Sequence, residues 1–146
     1  MHSPILAPIV ALVAWTLVMQ VWLYATRLPA MRRAGISLKG RVGTRGGALE
    51  GAIPDQVNWK AHNYNHLMEQ PTIFYAVALS LALMGFGGGI NLYLAWAYVG
   101  FRILHSLIQA TVNVVKYRFL VFALASLCLL GLTVHAAARI IHDCLG

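Results

Sequence analysis

Four apolar stretches, each long enough to cross a lipid bilayer, take up most of this 146-residue chain and leave few ways to fold it. Crossing about 30 Å of hydrocarbon at a rise of about 1.5 Å per residue needs roughly 20 helical residues. The stretches run from about residue 5 to 26, 59 to 84, 91 to 115 and 119 to 141. Only 10% of the residues are charged and 60% are hydrophobic, where an ordinary soluble domain carries about 25% charged residues. A soluble core of this size has no use for so much apolar surface; a bilayer does. The expected fold is therefore an all-α membrane protein. A single transmembrane domain covers residues 1–146, as a four-helix bundle of antiparallel up-down topology, with one long connection at residues 27–58. The first stretch is expected to be a retained helix rather than a secretory signal. Met1 to Pro4 carries no Lys or Arg, and the stretch is longer than the usual apolar segment of about 7–15 residues.

The net charge is +7, and its placement sets an orientation. Seven of the eleven Lys and Arg residues lie in or beside the first connection: Arg27, Arg32, Arg33, Lys39, Arg41, Arg45 and Lys60. Lys116 and Arg118 stand at the third connection, whereas Gly85 to Ile90, the second, has no charge. Positive connections stay in the cytosol, so residues 27–58 and 115–118 are expected there and both termini on the opposite side. A short chain with minimal tails suits a bacterial inner membrane. Gly40 to Gly47 has a faint likeness to an arginine-glycine nucleic-acid segment, but a solvated loop beside anionic headgroups explains it more simply. No nucleic-acid partner is expected. The same glycines lack the Gly-Lys-Ser/Thr ending of a phosphate-binding loop. Cys128 and Cys144 are sixteen residues apart, about 24 Å along a helix, and are expected as free thiols.

The first and fourth stretches are almost wholly apolar, and the second and third are not. The second holds His62, Asn63, Asn65, His66 and Glu69; the third holds Arg102, His105, Ser106, Gln109 and Asn113. A charge at the centre of a membrane helix costs about 2.5–3.5 kcal/mol on insertion scales, so such groups face the bundle interior and pair there. His62, His66 and Glu69 fall on one helical stripe, and so do Arg102, His105, Gln109 and Asn113. Facing stripes on antiparallel neighbours build a shared polar site, whose simplest element is a Glu69–Arg102 ion pair. Pro71 is expected to kink the second helix and free the carbonyl of Leu67. The plainer alternative is structural: polar side chains bonding across helices to fix the bundle, at about 1 kcal/mol or less each. His62, His66, His105 and Glu69 are admissible metal ligands, but no recognised metal motif is present and no metal is expected. His135, deep in the fourth stretch, is expected to be a hydrogen-bonded packing residue.

The run Ala61-His-Asn-Tyr-Asn-His-Leu-Met-Glu-Gln-Pro71, followed by Arg102-Ile-Leu-His105 and by Arg118, resembles the MAPEG family, the membrane-associated proteins of eicosanoid and glutathione metabolism. The resemblance is carried by residues 59 to about 135. Its most specific part is an arginine, a histidine three residues on, and a second arginine sixteen after the first, which Arg102, His105 and Arg118 reproduce. The resemblance implies a homotrimer of four-helix protomers, with glutathione bound between subunits toward the cytosolic side. It implies that Arg118 stabilises the glutathione thiolate, that Arg102 pairs with Glu69 or holds a glutathione carboxylate, and that Glu69 accepts the amino group. His105 and Gln109 line the same helix, Asn65 is a further glutathione contact, and Arg27 stands where members keep another arginine. His66 occupies the place of a family asparagine, Gln109 that of a tyrosine, and Phe119 that of a serine.

The expected function is a glutathione-dependent membrane transferase or peroxidase acting on a hydrophobic electrophile, with glutathione as co-substrate and membrane lipid as surroundings. The alternative is a non-enzymatic bundle that binds a lipid or a regulatory partner and keeps a degenerate glutathione site.

Overall fold

The structure is a computed structural model that describes residues 2–40, 42–43 and 45–145. Arg41 and Thr44 of the glycine-rich segment, and Met1, lie outside the described residues. Among the described residues every regular element is helical: α1 Leu6–Arg33, a 3-10 turn at Gly46–Leu49, α2 Asp55–Leu67, α3 Gln70–Leu83, α4 Ile90–Thr111 and α5 Val115–Leu145.

Helix ends follow local chemistry. At the end of α1, Gly35 takes φ +67°, its N–H donates to Arg32 O at 3.1 Å, and Ile36 N–H donates to Met31 O at 2.9 Å. This left-handed cap satisfies carbonyls that the helix leaves open, and Arg32 and Arg33 sit favourably in the negative last turn. Gly85 (φ +69°) and Phe86 close α3 in the same way onto Ala82 and Leu81. At the end of α4 the left-handed residue is Asn113 (φ +53°), whose N–H donates to Ile108 O at 2.7 Å. The long connection shortens accordingly, since α1 runs past Arg27 and α2 begins at Asp55. Lys116 and Arg118 fall inside the first turns of α5 rather than in a loop.

The second apolar stretch departs from the single kinked helix expected from its sequence. It is two helices, interrupted at Met68 and Glu69, with Glu69 at φ −92° and ψ −98°. Proline has no N–H to donate and its ring crowds the carbonyl four residues back, whereas the first turn of a helix tolerates it. Pro71 therefore sits in the first turn of α3, and the chain breaks before it.

α4 and α5 form the most extensive helix pair; α2 packs against α1 and α4, and α3 against α5 and α1. Leu12 and Met19 of α1 meet Phe74, Ala78 and Leu81 of α3, Tyr98 and Val99 of α4, and Leu129 and Leu132 of α5. Gly131 lets α5 approach α4, since a Cβ there would lie 3.2 Å from Leu94 Cδ1. His135 Nδ1 lies 2.6 Å from Asn91 Oδ1, and Asn91 Nδ2 donates to Phe86 O at 2.8 Å, which ties α5 to the α3–α4 turn. The outer faces of α1 and α5 are apolar as well, with Val10, Leu17 and Val21 exposed on one and Phe119, Leu127 and Val134 on the other. These two helices are long and apolar enough to cross a membrane. The polar groups Asn63, Arg102, Ser106 and Gln109 are instead buried. Apolar outside and polar within is the arrangement of a bundle in lipid.

Gly87 in the α3–α4 turn lies tight against the N-terminus: a Cβ there would stand 2.6 Å from Ile5 Cγ2 and also collide with the Ser3 hydroxyl. Gly87→Ala is expected to destabilise the fold by about 1–3 kcal/mol, the usual range for overpacking. Gly88→Ala, where a Cβ meets open space, is expected to stay near wild type. Thermal melting in detergent compares the two.

Candidate functional site

The deepest polar feature is Arg102 on α4, a large side chain with 0% exposure. Its Nη2 donates to His66 O at 2.8 Å and lies 3.0 Å from His66 Nδ1, across from the end of α2. Its Nε and Nη1 have no hydrogen-bond partner, and its guanidinium carbon stands 5.7 Å from the ring centre of Phe122 on α5. A buried donor left without a partner costs about 1–3 kcal/mol, more when charged. The interruption before Pro71 makes the first of these contacts available, because it leaves carbonyls at the end of α2 without their helical donors.

The rest of the α4 stripe is buried alongside. Ser106 accepts a hydrogen bond from Asn63 Nδ2 at 2.6 Å, which clamps α2 onto α4. Asn63 Oδ1 and Gln109 Oε1 have no partner, although Asn63 is 0% and Gln109 only 6% exposed. His105 stacks on His66, with ring centres 4.8 Å apart and planes at 27°. Phe122 meets His66 edge-on at 5.3 Å. Arg118, one turn into α5, donates through Nη1 to Asn113 Oδ1, and its Nε is buried without a partner. The left-handed turn at Asn113 therefore orients the arginine that follows it.

His66, His105, Val115, Arg118, Phe119 and Phe122 surround a recess of about 180 Å³. Its lining combines cationic and hydrogen-bonding groups with apolar ones. Asn113 also borders a polar recess of about 310 Å³ with Glu50, Asp55, Asn58 and His62. Elsewhere between the helices, Tyr98 donates to Gln70 Oε1 at 3.4 Å and Gln70 Nε2 to Ser126 Oγ at 2.8 Å. A larger recess of about 520 Å³ lies near Thr26, Pro29, Arg33 and Val57, away from the buried polar groups.

Of the residues expected from sequence, the structure brings His105 and Arg118 into one recess, sets Arg102 behind it through His66, buries Gln109 on the same face of α4, and places the others elsewhere. The Glu69–Arg102 ion pair is corrected: Glu69 is exposed, no ion pair joins them among the described residues, and Arg102 is held by His66 instead. The cause is the helix break, which takes Glu69 off the stripe that an unbroken helix would share with His62 and His66. Asn65 is also exposed. Arg27 donates to Gly46 O at 2.6 Å and fastens the 3-10 turn to α1 rather than reaching the recess. His62 bonds Glu50 at 3.1 Å. His66 and Asn63 are central and were outside the expected site set. Pro71 is the signal that points to His66, since carbonyls stranded before a proline require donors, and Arg102 is a donor without a nearby acid.

Comparison with known proteins fits this arrangement. The pattern of the MAPEG family matches residues 5–138. No curated protein and no solved structure matches the chain. The family match takes in both apolar outer helices, the broken second stretch, the α4 stripe and Arg118. This helical membrane bundle, with its buried arginine and histidine stripe, belongs to the MAPEG family.

Proposed function

We propose that this protein is a glutathione-dependent membrane transferase or peroxidase that acts on a hydrophobic electrophile. The observation that carries the reading is the recess that Arg118 and two stacked histidines line together with the apolar side chains Val115, Phe119 and Phe122. Family membership supports glutathione-related membrane chemistry in general, and the recess has the two halves that chemistry needs. A free thiol has a pKa of about 8.5, and a nearby fixed cation lowers it. Bringing it to about 7 requires roughly 2 kcal/mol, a task suited to one arginine. Arginine keeps its charge at low dielectric, where lysine sheds its proton more readily. With an aryl halide, the thiolate of glutathione attacks the ring carbon, a carbon–sulfur bond forms, and halide leaves.

The recess is smaller than the roughly 300–1,000 Å³ that encloses a drug-sized ligand, so it takes the thiol end of a tripeptide and leaves the remainder outside. Arg102 is wholly buried and outside the lining of the recess, so it supports the site from behind through His66 rather than holding a glutathione carboxylate; His105 lines the recess and Gln109 is buried on the same face of α4. Glu69, exposed at the helix break, meets the amino group, with Asn65 and Arg27 more peripheral. A homotrimer closes the open side: apolar residues such as Leu127 and Val134 are exposed along α5 and offer a surface to a second copy. The basic residues Arg32, Arg33, Lys39, Arg45 and Lys60 support a cytosolic position for this end and the opposite side for both termini, in a bacterial inner membrane.

A non-enzymatic bundle is the second reading. Arg118 already bonds the Asn113 side chain, which favours a structural arginine. The two readings differ in one measurement. Glutathione at tenfold excess over Kd is expected to stabilise the detergent-solubilised protein by about 1.4 kcal/mol, seen as a rise in Tm; no rise at millimolar glutathione favours the non-enzymatic bundle.

Arg118→Ala is expected to slow conjugation of glutathione to an aryl halide by tenfold or more. Its pH–rate profile should move toward the ordinary thiol value, because removing a cation raises the thiol pKa. Unchanged rate and profile would take Arg118 out of the chemistry.

A further inference from the structure

One side chain in the recess is fixed more tightly than its sequence position requires. Arg102 has only donors to offer, so His66 Nδ1, 3.0 Å from Nη2, must be the acceptor. That assigns the ring proton to Nε2. Turning the ring over would replace Nδ1 by a carbon and forfeit the contact. Two further contacts hold the ring, the His105 stack at 4.8 Å and the Phe122 edge at 5.3 Å, and Nη2 also fixes the His66 backbone through its carbonyl at 2.8 Å. Nε2 has no protein partner among the described residues, although His66 lines the same recess as Arg118. A neutral N–H donor and a permanent cation thus share one small opening, with apolar rings beside them. The ligand atom that suits both is an anion with acceptor capacity and no proton to place.

We propose that His66 is a second donor to the glutathione sulfur. Its Nε2–H hydrogen-bonds the thiolate that Arg118 neutralises, and Arg102 acts through His66 by fixing the tautomer. His66 in this role is a catalytic residue; Arg102 in this role is a positioning residue. The assignment rests on the glutathione reading above. It adds to that reading a donor that strengthens as negative charge builds on sulfur, and hydrogen bonds to charged groups are the stronger kind. No proton passes through His66: the thiol proton leaves to solvent, and the imidazole keeps its own.

The test is a pH titration of the ultraviolet absorbance of glutathione thiolate bound to the detergent-solubilised protein. The proteins compared are wild type, His66→Phe, His66→Gln and Arg118→Ala. His66→Phe keeps a stacking ring and loses the N–H, so its half-point should rise by about one pH unit, tenfold less thiolate at a given pH. Its glutathione affinity should change by less than about threefold, as expected of a contact made to the ionised sulfur. His66→Gln offers an oxygen to Arg102 and an N–H to sulfur, and should recover most of the shift. A His66→Phe half-point equal to wild type, with Arg118→Ala displaced, overturns the role of His66 and leaves the glutathione reading standing. Absence of bound thiolate in wild type overturns both. A measurement on the unmutated chain guards against misfolded variants: in protein labelled with nitrogen-15 histidine, the His66 Nε2–H resonance should move with glutathione and stay put with S-methylglutathione. Equal responses to the two ligands overturn the proposal.

Discussion

Everything in the centre of this bundle is arranged around a guanidinium that cannot lose its charge and cannot reach water. Arg102 is wholly buried, and no acid pairs with it among the described residues. Its charge is spread instead over a backbone carbonyl, an imidazole nitrogen and the face of Phe122. Neutral acceptors compensate a buried cation only in part, and both of those within reach engage the same nitrogen, so Nε and Nη1 lack partners. A residue so placed commits three helices at once: α4 carries it, α2 ends against it, and α5 lays an aromatic ring beside it. The break before Pro71 is part of the same solution, since an unbroken α2–α3 helix would have consumed the carbonyl that Arg102 uses.

The polar interior serves cohesion and ligand binding through the same physics. The Asn63–Ser106 bond and the Tyr98–Gln70–Ser126 chain are closed, each donor meeting an acceptor, and they behave as fasteners. Arg102 Nε and Nη1, Asn63 Oδ1, Gln109 Oε1 and Arg118 Nε are open. Open groups in a low-dielectric interior are expensive, and proteins seldom keep several together without water or a ligand to meet them. Closed groups therefore mark the frame, and open ones carry an electrostatic cost that the frame sustains.

The class of the fold was legible because hydrocarbon imposes a length and a composition that few soluble chains meet, and α1 and α5 meet both plainly. The α4 stripe was equally legible: Arg102, His105, Ser106 and Gln109 fall on one face by helical period alone and are buried together. Glu69 was misplaced because that period was carried through a proline. Counting residues along one helix holds only while the helix lasts, and two residues of non-helical chain suffice to turn a side chain outward. Arg27 illustrates a different limit. Nothing in its neighbourhood in sequence announces that Gly46, nineteen residues on, supplies its acceptor. Asn113 could be read as polar, but that it would bend the chain left-handed and steer Arg118 depends on α4 ending where it does.

The interrupted second passage also has a bearing on how the chain enters a bilayer. α2 has 13 residues and α3 has 14, about 20 Å each, so neither crosses hydrocarbon alone. The first of them is polar enough to prefer water until α4 presents Ser106 and Arg102 to it. α4 in turn carries an arginine that lipid rejects until α2 offers a carbonyl. Each half of this lock is a poor guest of the membrane by itself, so the two halves are expected to settle in the bilayer as a pair.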